Sequence, residues 1–212
     1  MTRINIGCGR TPTAGWVNYD NSPTVRLAHI PVLGGALGRL VSPARGEFMA
    51  FVRRSDIRYA NAARHIPHAD GSVDVVYASH MLEHLDRDEA ARFLREVWRV
   101  LVRGGIIRLV VPDLRFHADH YVAGADADAF VAAIGLGRTR PVGIGRRVLT
   151  AVTGDRDHHW MYDGPSLSRL LTAAGFVDVR VVPAGTTAIP DPGALNLTER
   201  SEESVYVEAR HS

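Results

Sequence analysis

The sequence contains no lysine and no glutamine, and it has one cysteine in 212 residues. A single thiol, Cys8, excludes an intramolecular disulfide framework and favours a reducing compartment. The 25 arginines balance 23 acidic residues to a formal net charge of +2. Because the net charge is close to zero and the sequence has no clustered basic patch, it gives no indication of a protein that binds nucleic acids or other polyanions.

Long apolar runs are missing as well. The longest, residues 29–41, contains three glycines and is too short to span a bilayer. Residues 1–5 open on a strand-like pattern, with no apolar signal segment. We therefore expect a cytoplasmic protein with no membrane partner. Hydrophobic residues at 46% and charged residues at 23% are typical of a globular chain, and this length fits one domain.

Short β-branched runs alternate with helical patterns, which predicts a parallel sheet covered by helices. Six strands are predicted, at residues 3–6, 17–20, 73–78, 106–111, 177–182 and 204–209. In the last strand, Val205 and Val207 alternate with Tyr206 and Glu208, which predicts one buried and one exposed face.

Two regions carry no strand signal, residues 23–56 and 114–160. Both are predicted to be insertions that cap the sheet, and the second is interpreted as a lid. The apolar residues 142–152 within it are consistent with either a lid helix or a dimer contact.

Two helices carry clear end signals. Asp86, with Glu89 three residues later, has the capping-box pattern, and apolar residues follow at helical spacing. Gly104 and Gly105 are expected to cap the carboxyl end of this helix. A second helix is predicted over residues 166–174.

A turn of sequence Gly7-Cys8-Gly9 directly follows the first strand. Glycine lets a backbone reverse tightly and approach a ligand closely, as in many nucleotide-binding α/β folds. Asp20 closes the next strand, where its carboxylate can bind two ribose hydroxyls. The third glycine of the dinucleotide fingerprint is absent and the acidic residue comes too early for it, so NAD is not expected. A purely structural turn remains the alternative.

Within residues 65–85, Pro67 and Asp70 precede a predicted strand, and the loop Glu83-His84-Leu85 follows that strand. This order resembles the class I S-adenosylmethionine-dependent methyltransferases, and most closely their small type 11 branch. The resemblance implies a Rossmann-like α/β fold with a seven-stranded, mostly parallel sheet flanked by helices, in a single domain over residues 1–212. It also implies S-adenosylmethionine as the cofactor and a small-molecule acceptor substrate.

The resemblance implies the following cofactor-binding residues: Gly7, Cys8, Gly9, Asp20, Asn61, Ala62, Ser79 and His80. The glycine turn would offer backbone amides to the methionine moiety, with Cys8 as a small filler, and Asp20 would bind the ribose. Asn61 would face the adenine amino group beside the backbone N–H of Ala62. Ser79 and His80 would lie under the sulfonium. Two departures are a short first crossover and an amide at Asn61, where the family often has a carboxylate.

Histidines are the candidate general bases. Methyl transfer is an in-line displacement that depends mainly on alignment, but an oxygen or nitrogen acceptor must also lose a proton. The pKa of histidine lies near working pH, which suits this role. His80 is the first candidate, followed by His117 and His158. Residues 160–162 are interpreted as a wall of the acceptor pocket or as core.

His80, Glu83 and His84 match the His-x-x-Glu-His pattern of inverted zinc peptidases. That pattern needs a helix to bring its residues to one metal, whereas here it follows a strand directly and predicts a loop. Some quinone-biosynthesis O-methyltransferases are similar in placing a carboxylate-x-x-Glu-His metal site at this loop, with His80 here replacing the first carboxylate. Our prediction nevertheless assigns no metal ligand, and it expects Glu83 and His84 to hold the loop through hydrogen bonds to the backbone.

Several functional alternatives follow from these features. The leading prediction is O- or N-methylation of a sugar, glycan or secondary metabolite. The residues after the strand, Ser79-His80-Met81-Leu82, lack the proline-rich turn of nucleic-acid methyltransferases, so no nucleic-acid partner is expected. A metal-assisted O-methyltransferase and a non-catalytic cofactor-binding scaffold remain alternatives. A monomer and a homodimer are both compatible with the sequence.

Overall fold

The computed structural model describes residues 1–29, 43–124, 126–136 and 157–212. The strands are β1 (Arg3–Ile6), β2 (Val17–Asp20), β3 (Ile57–Tyr59), β4 (Val73–Ser79), β5 (Leu101–Pro112), β6 (Val177–Val182) and β7 (Ser204–Arg210). They form one seven-stranded sheet in the order β3-β2-β1-β4-β5-β7-β6. β7 is antiparallel to β5 and β6, and the remaining neighbours are parallel. The predicted Rossmann-like sheet is confirmed.

The helices of the described residues are α1 (Pro23–Ala28), α2 (Pro43–Arg54), α3 (Arg87–Val100), α4 (Leu114–Val122), α5 (Ala127–Ala133) and α6 (Gly164–Ala173). The first predicted insertion therefore contains the helices that connect β2 to β3, and the second begins with α4 and α5. Residues 142–152, interpreted above as a lid helix or dimer contact, lie outside the described residues. Across the described ranges, no helix is both long and apolar enough to cross a membrane.

The helix α3 shows how the sequence produces the local structure. The Asp86 side chain accepts a hydrogen bond from the Glu89 backbone N–H, and the Glu89 side chain accepts one from the Asp86 N–H, so the predicted capping box is confirmed. Phe93, Leu94 and Val97 are fully buried against the sheet. Burial of such side chains stabilises the fold by about 1.5–3 kcal/mol each.

Three sequence expectations are corrected. The helix ends at Val100 and β5 begins at Leu101, so Gly104 and Gly105 lie in the strand and do not cap the helix. The strand β3 is a short addition that the sequence did not signal. β7 is buried on both faces, because Tyr206 and Glu208 are covered by the chain between β6 and β7.

Two irregular connections shape the sheet around the site. Residues 7–16 join β1 to β2 through turns instead of a crossover helix, as the short first crossover predicted. Residues 183–203 join β6 to β7, also through turns. Ile189 and Leu195 of this connection pack with Trp16 and Tyr77 over one face of the sheet. The opposite face packs on α3 and α6.

Candidate active site

Four neighbouring parallel strands end at one edge of the sheet, and each is followed by predicted cofactor-binding residues. β1 leads into the turn of residues 7–9, β2 ends at Asp20 and β4 ends at Ser79. Asn61 follows the end of β3 by two residues. Ligands of open α/β sheets bind at this carboxyl edge. The structure thus brings the predicted positions together.

Asp20 ties the ends of β1, β2 and β3 to one another. Its Oδ2 accepts a hydrogen bond from the Gly9 N–H at 3.0 Å, and its Oδ1 accepts one from the Ser22 N–H at 2.7 Å. Its backbone carbonyl accepts from the Ala60 N–H at 3.2 Å. Each carboxylate oxygen has a second lone pair, so Asp20 can hold the turn and still accept hydrogen bonds from ribose hydroxyls.

The glycine turn needs both of its glycines. Gly7 has φ +73°, and a Cβ there would lie 2.6 Å from the Met81 Cγ. Gly9 has φ +50°, and a Cβ there would meet nothing within 4 Å. The turn is therefore packed against Met81 on one side and open on the other. The expectation that the turn offers free amides is corrected, because the Gly7 and Cys8 N–H groups donate to the Tyr19 carbonyl at 2.8 and 3.1 Å. What the turn leaves open is the backbone surface at Gly9, beside Asp20.

Cys8 lies between the two glycines and is buried. Burial, reinforced by the nearby Asp20 carboxylate, raises the pKa of its thiol to about 12. The thiol is therefore protonated at neutral pH, in agreement with the prediction that Cys8 fills a tight turn and is not a nucleophile.

Asn61 and Ala62 begin the segment that follows β3. The Asn61 Oδ1 accepts a hydrogen bond from the Ala63 N–H at 3.2 Å, which closes a local turn. Ala62 is buried in the main core. Their contact with an adenine ring remains a prediction.

His80 directly follows β4 and has a left-handed backbone, with φ +48°. Such a conformation is uncommon for a residue other than glycine and is often found at functional sites. Its Nε2 lies 3.1 Å from the Ser204 Oγ, and its Nδ1 lies 3.4 Å from both the Glu83 Oε1 and the Arg200 Nη1. Ser204 and Arg200 carry no sequence signal for this role, because they are more than a hundred residues away in the chain.

The other two candidate bases approach the same edge from different elements. His117 lies on α4, and its burial lowers the pKa of its imidazole. His158 lies 5.0 Å from His84, measured between ring centroids, in an edge-on arrangement. Of residues 160–162, Met161 and Tyr162 are buried, whereas Trp160 is 46% exposed beneath the Arg87 guanidinium.

Glu83, His84 and His158 form a compact cluster beside His80. Each offers one ligand atom, and these atoms lie within 4.8 Å of one another. As expected, His84 holds the loop, because its Nδ1 bonds to the Asp157 carbonyl at 3.1 Å. The same expectation is wrong for the Glu83 side chain, since neither carboxylate oxygen has a hydrogen-bond partner. The chain here forms a single 3₁₀ turn, Leu82–His84, so a helical peptidase motif is absent from this loop.

Comparisons with known proteins agree with this geometry. Residues 42–109, 68 of the 212, match a family model described as "Methyltransferase domain". No curated protein sequence matches the chain.

Among solved structures, the chain is similar to an S-adenosylmethionine-dependent methyltransferase of Thermotoga maritima, described as a possible histamine N-methyltransferase. That match has a TM-score of 0.53 and 14% identity, and it covers 100% of this chain and 82% of the other. A methyltransferase of Archaeoglobus fulgidus matches with a TM-score of 0.51 and 14% identity, over 99% of this chain and 86% of the other. Phosphoethanolamine N-methyltransferase 2 of Haemonchus contortus, solved with S-adenosyl-L-methionine, matches with a TM-score of 0.50 and 10% identity, over 99% and 48%.

At these identities the solved structures establish the fold, while the family model matches the segment from α2 through most of β5. That segment holds the Pro67-to-Leu85 stretch on which the sequence resemblance rests. The sheet order and the family match together support an enzyme that uses S-adenosylmethionine. The chain therefore contains a methyltransferase-domain match over residues 42–109 and has the fold of the S-adenosylmethionine-dependent methyltransferases to which it is similar.

Proposed function

We propose that this enzyme methylates an oxygen or nitrogen atom of a small-molecule acceptor, with a sugar, a glycan or a secondary metabolite as the substrate class. The single observation that carries the assignment of roles is the network joining Gly9, Asp20 and the end of β3 at the edge where His80 emerges. The bound cofactor supplies an electrophilic methyl group. The chain must then orient the acceptor and take up a proton.

The cofactor would lie along the ends of β1, β2 and β3. The open face that Gly9 leaves is our candidate surface for the methionine moiety, and Asp20 would bind the ribose. Asn61 is the candidate for the adenine amino group. These assignments follow the order in which the strands meet the edge, β3-β2-β1-β4.

His80 is our candidate for the base. Its side chain is 12% exposed, so it is largely removed from water while it stays at the rim of the site. Ser204 and Glu83 contact its two ring nitrogens and would fix the ring orientation. His117 and His158 are second candidates. The Ile134 carbonyl holds the His158 Nδ1 at 2.8 Å, which leaves Nε2 as the basic nitrogen of that ring.

The cofactor assignment is tested by calorimetric titration of the full chain with S-adenosylmethionine and S-adenosylhomocysteine. We expect Asp20→Ala to lose most of the affinity, because a carboxylate that binds hydroxyl groups contributes about 1.5–3 kcal/mol, or roughly 10- to 100-fold. Asp56→Ala, in an exposed pair with Arg58, is the matched control and should bind like the wild type. Wild-type affinity in Asp20→Ala would overturn the assignment.

The base is tested once an acceptor panel of sugars, phenols and amines yields S-adenosylhomocysteine. His80→Gln should lower kcat by about 10²- to 10⁴-fold, the usual contribution of a general base. Its affinity for the cofactor should change little. An unchanged kcat in His80→Gln would transfer the role to His117 or exclude a histidine base.

A further inference from the structure

We propose that Glu83, His84 and His158 bind a zinc ion. The three side chains come from the 3₁₀ turn after β4 and from the segment that precedes α6, 75 residues further along the chain. Their ligand atoms lie within 4.8 Å of one another, so modest side-chain adjustment would bring them to a common ion. The binding of zinc does not depend on which acceptor is methylated.

Hydrogen bonds to carbonyls hold both histidines in the tautomer that can bind a metal through Nε2. The His84 Nδ1 bonds to the Asp157 carbonyl at 3.1 Å, and the His158 Nδ1 bonds to the Ile134 carbonyl at 2.8 Å. A carbonyl only accepts hydrogen bonds, so each Nδ1 carries the proton and each neutral ring keeps its lone pair on Nε2. Metal-binding histidines are typically held in this way, with the second ring nitrogen donating to a carbonyl or carboxylate.

Glu83 supplies the independent indication of a ligand. Its side chain is 1% exposed, and neither carboxylate oxygen has a hydrogen-bond partner. The nearest ring nitrogen is the His80 Nδ1, at 3.4 Å from Oε1. A buried carboxylate without partners is costly, and such groups are normally paired or coordinate a metal. A cation between Glu83 and the two imidazoles would satisfy it.

The backbone holds the three ligands in place. The Glu83 carbonyl accepts hydrogen bonds from the His159 N–H at 2.7 Å and the Trp160 N–H at 3.1 Å, which fixes the two segments side by side. Gly135 makes room for the His158 ring, because a Cβ there would lie 2.7 Å from its Nδ1. The site is therefore preorganised by bonds that do not involve the ligand atoms.

Two imidazoles and one carboxylate favour zinc over magnesium, which prefers oxygen ligands and an octahedral shell. Three protein ligands would leave a fourth position open, as in catalytic zinc sites. This set contains His158 in place of His80, and so it differs from the set suggested by the His-x-x-Glu-His spacing. If the proposed function holds, the open position adjoins the His80 edge and could bind an acceptor oxygen or nitrogen.

The test is metal binding by the tag-free, chelator-treated full chain. Competition titration with Zn²⁺ should show one tight site per chain, and Co²⁺ should give the visible absorption of a four-coordinate ion. Glu83→Gln, His84→Gln and His158→Gln should each weaken Zn²⁺ binding by about 100-fold or more. Loss of a residue that only supports a metal ligand weakens binding about 10- to 100-fold, so loss of a ligand itself should cost at least as much. His120→Gln, an exposed histidine on α4, is the matched control and should bind zinc normally.

Three results would overturn the proposal: no stoichiometric zinc in the wild type, unchanged affinity in His158→Gln, or loss of zinc in His80→Gln with retention in His158→Gln. Calorimetry with S-adenosylmethionine on the same samples separates this inference from the proposed function. Cofactor binding without zinc binding would reject the metal site alone. Zinc binding without cofactor binding would reject the cofactor assignment and leave the metal site standing.

Discussion

Cys8 occupies the centre of the turn after β1, and its surroundings determine the reactivity of its thiol. Burial and the Asp20 carboxylate raise its pKa from 9.0 to about 12. Reaction requires the thiolate, so at pH 8 a shift of this size reduces the reactive fraction about a thousandfold. We expect the native protein to react with a disulfide reagent about a thousandfold more slowly than the chain in denaturant. Stopped-flow thiol titration checks this.

The raised pKa of the Cys8 thiol also means that the folded state loses stability at high pH. The thiol stays protonated in the folded state while the unfolded chain ionises, so its contribution is full below pH 9 and is lost as pH rises from about 9 to 12. Cys8→Ala should flatten this part of the stability profile. A native thiol that reacts as fast as the unfolded one would show that the turn is open to solvent.

The positions of site residues were predictable where these residues are close in sequence, and not where they come from distant segments. Gly7, Gly9 and Asp20 are separated by few residues, and their spacing is enough to indicate a ligand turn. The pairing of Glu83 with His158, and of His80 with Ser204, depends on how the chain returns to the sheet edge. No local spacing encodes that return, so the sequence did not indicate that His158 lies beside Glu83 and His84.

The helix α3 is joined to the segment before β4 through its paired residues Glu96 and Arg99. Glu96 on α3 accepts two hydrogen bonds from Arg99, at 2.7 and 2.9 Å, and one from the Ile66 N–H at 2.9 Å. Arg99 in turn donates to the Asp70 carboxylate at 2.6 Å. These contacts hold the proline-to-aspartate stretch of the family against the helix. The hydrogen bonds from Arg99 lower the pKa of Glu96 from 4.5 to about 2.

Glu96→Gln should therefore lower stability in a pH-dependent manner. A depressed carboxyl pKa contributes its full stability above about pH 4.5, and that contribution is lost as pH falls towards 2. At pH 7 we expect a loss of about 1.5–3 kcal/mol, the range for hydrogen bonds to charged groups, and near pH 2 the difference should shrink. Denaturant unfolding across this range measures it. Glu47→Gln, an exposed glutamate on α2, is the control; equal profiles for the two variants would contradict the argument.

Elements with their own periodic pattern and end signals were predictable, as α3 and β4 show. β3 was not, since only Ile57 of its three residues is buried and three residues carry no period. The end of α3 was misplaced because two glycines after a helix usually cap it. Here Leu101 pairs with Val73 in the sheet, and this pairing starts β5 before the glycines.

At the scale of the whole molecule, turns and not a helix connect β1 to β2. The chain between β6 and β7, residues 183–203, covers the sheet face that this helix would otherwise cover, and we call this segment the cover. A buried ion pair fixes that cover. The Arg108 Nη1 donates to the Glu208 Oε1 at 2.6 Å and to the Thr186 carbonyl at 2.8 Å. Glu208 also accepts from the Ala188 N–H at 2.8 Å. This explains why the exposed face that alternation in β7 predicted is buried: its outward residues meet a segment that lies earlier in the chain and forms only turns.

Breaking that pair should loosen the cover before it disrupts the sheet. Arg108→Met leaves Glu208 buried without its cation, and removing one partner of a buried pair costs about 3–5 kcal/mol. Hydrogen exchange should rise selectively in residues 184–199, read by mass spectrometry, while peptides from β1 and β4 stay protected. Arg115→Met, which removes an exposed pair with Asp119, should cost no more than about 0.5 kcal/mol and serves as the control.

The double variant decides whether the pair itself is responsible. Arg108→Met with Glu208→Leu removes both charges, so it should be less destabilised than the sum of the two single variants, by about 1–3 kcal/mol of coupling. Additive losses would mean that Arg108 stabilises the cover through its bonds to carbonyls alone. In that case the carbonyls of Thr186 and Leu197, and not Glu208, would position the chain that replaces the missing helix.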